Sequence, residues 1–151
     1  VVFCSEACRM IGLQKFHWAE CPSLPALANL GRTACLIKTH RIITQTSYPF
    51  VIKMLPKLKE QTQEKLRQEQ GVNENGIYES SDYESVYFLD ANLNNRSVSE
   101  FIHLSAGAFI IVNILIESGR FFIDDNGQQF EPSKEEIIQI GAVCINHISS
   151  A

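Results

Sequence analysis

Runs of positive charge are missing from this sequence of 151 residues: 13 Lys and Arg are outnumbered by 17 Asp and Glu, for a net charge of −4. Direct nucleic-acid binding is therefore not expected, because phosphate recognition needs clustered cations. Long apolar runs are missing too. The longest, Leu104 to Ile116, is interrupted by Ser105, Gly107 and Asn113. It falls short of the roughly 20 residues that span a bilayer, so a buried helix is expected there and no membrane partner. A secretion signal is also missing, since the N-terminus has no basic region and runs straight into Cys4 and Glu6. Val1 stands where a Met would open a coding sequence, which leads to the expectation that residues precede it. Internal repeats, low-complexity tracts and phosphate-binding glycine loops are lacking. No Ser-His-Asp or Cys-His set has the spacing of a nucleophilic enzyme.

What is present is an ordinary globular composition, 45% apolar and 20% charged, in a chain long enough for one domain with a core. A mildly acidic surface would suit a basic protein partner such as a histone tail. The five cysteines are an odd number, and three of them, Cys4, Cys8 and Cys21, crowd beside His17 in the first 21 residues. Without a secretion signal, that cluster reads as metal ligands in a reducing compartment, cytoplasmic or nuclear.

The spacing is Cys4-x3-Cys8-x8-His17-x3-Cys21. Thiolates and imidazole are the usual zinc ligands, four to an ion. Each x3 pair places two side chains on one helix face, one turn apart. An unbroken helix would hold the two pairs about 13 Å apart, too far to share an ion. A turn at Gly12 would unite them in a single site; without it, each pair is half of a separate site.

The remaining pattern is helical. Residues 24–46 read as one amphipathic helix with Leu27, Leu30, Ala34 and Ile37 on a face and Pro25 in its first turn. A second helix runs from Tyr48 to Gln70, with Pro56 expected to break or kink it and Gly71 to close it. Beyond Pro56 it is polar on nearly every face, an exposed helix or a mobile arm. Residues 73–82 read as a polar loop. The sequence leaves the type of Tyr83–Asn95 open. Ser97/Glu100 and Ser133/Glu136 are capping boxes that start two further helices. The first shows Phe101, Leu104, Ala108, Ile111 and Leu115 on one face and stops at Gly119. The second shows Ile137, Ile140, Cys144 and Ile148. His40 and His103 are expected as surface or core histidines, Cys35 and Cys144 as small buried side chains, and Asn146-His147 as an ordinary helical pair.

The segment FCSEAC…KFHWAEC resembles the closing half of a MYND zinc finger. The regions that follow, LPALANLGRTACLIKTHRII and YESVYFLDANLNNRS, are similar to those after the finger in the SET-and-MYND-domain protein lysine methyltransferases. The resemblance implies a mainly α chain, with half a MYND finger at residues 1–22 and the helical insert of a split SET domain at 23–151. It implies two interleaved zinc sites, one completed by Cys4 and Cys8 and the other by His17 and Cys21. Their remaining ligands would come from two Cys-x-x-Cys pairs that this chain does not contain. It implies that Asp90 and Asn92 contact S-adenosylmethionine, with Asp90 where the family has Glu. The expected activity is methyl transfer to a lysine of a histone or non-histone protein. No catalytic residue is expected within these 151 residues, and no turnover from them alone. The alternative is a non-catalytic MYND module that binds proline-containing peptides.

Overall fold

The computed structural model describes residues 4–30, 33–68, 75, 77, 82–89 and 91–150. The chain is mainly helical, as expected, and among the described residues the extended pairing is a single antiparallel bridge, Ile123 with Gln129. Ser5 has extended backbone, and its Oγ accepts the Cys8 N–H at 3.2 Å, which starts α1 (Glu6–Gly12). No turn follows. Gly12 sits at φ −60°, ψ −45°, and the chain passes into a π-helical stretch, Leu13–His17, and then α2 (Trp18–Glu20).

The helix expected over 24–46 is two helices, α3 (Leu24–Ala28) and α4 (Thr33–Thr46). The break resets the helical phase, so the anticipated stripe does not carry across it. Leu27 is buried, but Ala34 is exposed; α4 instead buries Leu36, Thr39, His40 and Ile43. Ser47, at φ +69°, separates α4 from α5 (Tyr48–Gln68). Pro56 lies inside α5 without ending it. A proline in a helix interior costs about 3 kcal/mol. Val51, Leu55 and Leu58 on the same helix are nearly or fully buried, each contributing roughly 1.5–3 kcal/mol, which outweighs that cost. Lys57 adds an ion pair to Glu84 at 3.1 Å, so the region just past Pro56 is better anchored than its polar composition implied.

The segment left open becomes a short helix, α6 (Tyr83–Tyr87), capped by the Asp82 carboxylate, then a 3-10 turn at Leu93–Asn95. Both capping boxes form. Ser97 and Glu100 start α7 (Val98–Ser118), which Gly119 ends at φ +61°, and Ser133 and Glu136 start α8 (Lys134–Ser149). In α7, Leu104, Ala108, Ile111 and Leu115 are buried, whereas Phe101 stays 39% exposed. With its flanking residues joined to the apolar run, α7 reaches 21 residues. By length and composition alone a helix of this kind is long and apolar enough to cross a bilayer. Here it packs against α4 and α8.

The α7–α8 contact is the most extensive, and α4 touches α2, α3, α5, α7 and α8. Between α7 and α8 the chain forms an aromatic cluster, Phe121, Phe122 and Phe130 around Tyr48. The Tyr48 hydroxyl donates to Glu136. That bond, with the capping contacts of Ser133, holds the Glu136 carboxyl below the usual range. A Cβ at Gly107 would lie 2.9 Å from Leu36 Cδ2 and 3.3 Å from Ile148 Cδ1, so α4, α7 and α8 meet there.

His147 is fully buried, with Nε2 3.1 Å from the Tyr83 hydroxyl and no partner for Nδ1. Burial, with a smaller effect from Lys38, pushes it down to about 4 from 6.5. The unfolded chain therefore binds this proton first as pH falls, and stability is lost from about pH 6.5 toward pH 4. The full window is worth on the order of 3 kcal/mol.

Two outcomes follow for urea unfolding. Gly141→Ala should stabilise by about 0.4–1 kcal/mol, because nothing lies within 4 Å of its Cβ position. Gly107→Ala should destabilise by about 1 kcal/mol, overpacking outweighing helix propensity; equal effects at the two positions would contradict the close approach. The loss of stability between pH 7 and pH 4.5 should be smaller in His147→Phe than in the parent chain by at least about 1 kcal/mol, and identical losses would refute the assignment.

Candidate metal centre and cofactor segment

The four candidate ligands fall into two pairs. Cys4 and Cys8 are exposed, and the Cys4 thiol donates to the Cys8 sulfur at 3.2 Å. The Ser5 hydroxyl, and after it Cys4, lower the Cys8 thiol below its ordinary range. Two thiolates on one tetrahedral zinc would sit about 3.8 Å apart, given a Zn–S bond of about 2.3 Å. The observed separation is about 0.6 Å shorter, so these exposed thiols would have to part slightly to share an ion.

His17 and Cys21 form the second pair. The Cys21 N–H donates to the His17 carbonyl at 2.8 Å, and both residues are right-handed helical, so they share a face. His17 is half-buried and Cys21 exposed. Because the helical run is continuous from Glu6 through Glu20, Cys8 and His17, nine residues apart, are separated by about 13 Å along it. Among the described residues, no three His, Cys, Asp or Glu side chains come together as a metal-holding group. The helical geometry at Gly12 therefore keeps the pairs separate.

The ligand helix is fastened at one end. Residues 4–11 are exposed, whereas Ala19 and Glu20 are buried. The Glu20 carboxylate accepts from Arg41 Nε and, at 2.9 Å, from Nη2. The same guanidinium lies 4.0 Å over the Phe16 ring. Arg120 Nη1 donates to the Trp18 carbonyl at 3.0 Å, which ties the start of the α7–α8 connection to α2.

Of the two expected cofactor contacts, Asp90 lies outside the described residues. Asn92 is exposed at φ +48°, a left-handed conformation that Asn tolerates. Its Oδ1 accepts from Asn95 Nδ2 at 2.7 Å, within the turn that precedes α7. Arg96 fixes this segment to the rest of the fold, donating to Ala91 O at 3.2 Å and to Ser149 O at 2.6 Å.

Sequence reasoning missed two features. The pair Asn146-His147, read as ordinary, fastens α8 to α6: Asn146 Nδ2 donates to Tyr87 O at 2.7 Å, and His147 meets Tyr83. Paired polar residues on an otherwise apolar helical face were the available signal. The second is a cavity of about 460 Å³ bordered by Trp18, His40, Pro49, Arg120 and Phe121. Its signal was faint, a turn sequence Asp124-Asp125-Asn126-Gly127 set after two phenylalanines. Of the other candidates, His40 and Cys144 are buried, Cys35 is half-buried, and His103 is exposed with Nδ1 2.7 Å from Ser99 O.

Removing Arg41 would leave the Glu20 carboxylate buried and uncompensated. Arg41→Ala should destabilise by about 2 kcal/mol, below the usual range for a fully buried pair because the arginine is partly solvated. Protection of the Phe16–Glu20 amides from hydrogen exchange should fall at least as much as that of α8. Unchanged protection in that stretch would show that the pair does not hold the ligand helix. Comparison of the chain with family models, curated proteins and solved structures finds no match.

Proposed function

We propose that this chain is part of an S-adenosylmethionine-dependent protein lysine methyltransferase of the SET-and-MYND type. Residues 1–22 would be the closing half of its zinc finger and 23–151 the helical insert of its split SET domain. The observation that carries the reading is the pair of two-ligand faces on one unbroken helical run. A single four-ligand site would need a turn between Cys8 and His17. Two interleaved sites need a spacer, and the helical Gly12 supplies one.

In this reading Cys4 and Cys8 hold one zinc and His17 and Cys21 the other, each ion completed by ligands from elsewhere in the protein. The zincs are structural and do no chemistry on the substrate. S-adenosylmethionine supplies the methyl group, carried on its sulfonium, that passes to a lysine amine. Asp90 and Asn92 bind it, a carboxylate accepting and an amide both donating and accepting hydrogen bonds. Arg96 and Asn146 keep that segment seated against α8. The acidic balance of the chain favours a basic protein substrate.

Metal analysis after dialysis should find less than one retained zinc per chain, because each pair offers two ligands. A tightly held stoichiometric zinc would overturn the two-half-site reading in favour of one Cys-Cys-His-Cys site. With radiolabelled donor and histones, the 151-residue chain should transfer no methyl group above background. A longer product of the same gene, carrying two Cys-x-x-Cys pairs, should hold two zincs and transfer methyl groups. Asn92→Ala should lower that rate at least about tenfold. A longer product that binds zinc and proline-containing peptides without methyl transfer would instead establish an interaction module.

A further inference from the structure

Between Phe101 and Ile116, α7 carries no Asp, Glu, Lys or Arg, yet only a third of its most apolar stretch is buried. A helix apolar all round is ordinarily covered all round. The fold covers one side of it, with Leu104, Ala108, Ile111 and Leu115. On the other side Val98, Ile102, Phe109 and Ile116 recur at steps of four and seven, which sets them in one stripe along the helix. Val98 is 78% exposed and Phe109 70%. Beside the stripe, α8 contributes Ile138, which is 71% exposed, and the half-buried Ile145.

The two helices enclose a groove on this face, bordered by Ser105, Phe109, Ile138, Gly141, Ala142 and Ile145. No Asp, Glu, Lys or Arg lines it. Asn113, also at its edge, spends its amide donor on Phe109 O at 2.7 Å. The relief of the face is self-complementary. Phe109 stands out near the middle of α7, and Gly141 lies near the middle of α8. Nothing comes within 4 Å of a Cβ at Gly141, and Ala142 beside it adds only a methyl group, so the groove has an open notch there.

We propose that this face pairs two copies of the chain about a two-fold axis through its centre, each Phe109 ring seated in the other copy's notch at Gly141 and Ala142. A two-fold interface needs the projection and its receptor on the same patch, and mid-helix placement of both brings them together at the axis. A helix of this length is about 30 Å long and two packed helices are about 20 Å across, a footprint of roughly 600 Å² before side-chain relief is counted. Stable interfaces cover about 800 Å² on each partner, so the face is of the right size. Each copy has a net charge of −4, and an uncharged face keeps that repulsion away from the contact. A partner recruited by charge would find no opposite charge in the groove. Entry into a bilayer would require α7 to leave α4 and α8 and expose Leu104, Ile111 and Leu115. The pairing does not depend on the methyltransferase reading.

Sedimentation equilibrium of the 151-residue chain across the micromolar range tests this, with light scattering as a second measure of mass. The parent chain should reach twice the mass of one chain and stop there. Phe109→Asp should weaken the association at least about tenfold. Gly141→Glu should weaken it as much by filling the notch, and it replaces glycine with a better helix former, so the fold is kept. Ile11→Asp, at an exposed apolar residue outside the face, should leave the association unchanged. A single-chain mass at every concentration would overturn the proposal. So would growth beyond two chains, a dimer indifferent to both Phe109→Asp and Gly141→Glu, or binding of single chains to phosphatidylcholine vesicles through Phe109.

Discussion

The arrangement depends on a carboxylate that cannot stay buried alone. Glu20 is 3% exposed at the end of the helical run that carries the candidate ligands, and the desolvation of its charge is met by the Arg41 guanidinium through two nitrogens. The fork geometry matters, since a planar donor pair satisfies both oxygens at once where a lysine would satisfy one. Arg41 belongs to α4, which touches α2, α3, α5, α7 and α8, so this pair couples the candidate ligand residues to the helical core. Phe16 then covers the guanidinium, and Ser23 meets His40 one residue before Arg41 on the same helix. One turn of α4 thereby fixes the orientation of α2 and the walls of the adjoining cavity.

What could be read from the sequence was local. Both capping boxes involve residues three apart, and their donors and acceptors are satisfied within the same turn, so tertiary packing had little to override. The glycine stop at Gly119 was legible for the same reason. The stripe over 24–46 was not, because periodicity assumes one axis and one phase. Once Asn29 and Leu30 depart from the helix, Ala34 and Ile37 no longer continue the face of Leu27. Pro56 exposes the limit of another local rule. Its cost is fixed by the backbone, but whether the helix survives depends on Leu55 and Leu58 reaching a core that no window of sequence contains.

The candidate site divides along the same line. The i, i+4 ligand pairs were legible because helix geometry alone brings each pair together. The relation between the pairs rested on the conformation of Gly12, which the sequence left open and which the π-helical continuation decides. Asn92 was legible as a polar turn residue, and its left-handed backbone accounts for an asparagine there independently of any ligand. The cavity had no comparable signature. Arg120 and Trp18 are 102 residues apart, and His40 and Ser23 are 17 apart. Such sites come from folding three segments together, and no spacing rule anticipates them.

The two candidate ligand pairs are not equivalent, and the reason is where the helix is tied down. His17 and Cys21 flank Trp18–Glu20, whose carbonyl and carboxylate are held by Arg120 and Arg41. Cys4 and Cys8 sit at the exposed end, ordered by the Ser5 cap and by their own sulfur contact. Fixing a residue's backbone costs about 1–2 kcal/mol of conformational entropy. That cost is already met for the first pair by the fold and only partly for the second. If each pair is completed by equal outside ligands, the ion at His17 and Cys21 binds to a face already in place. The ion at Cys4 and Cys8 must also order the first turn of the helix. In that case the order of filling would follow from where the helix is anchored, with ligand chemistry acting against it, since thiolates are the softer ligands that zinc favours.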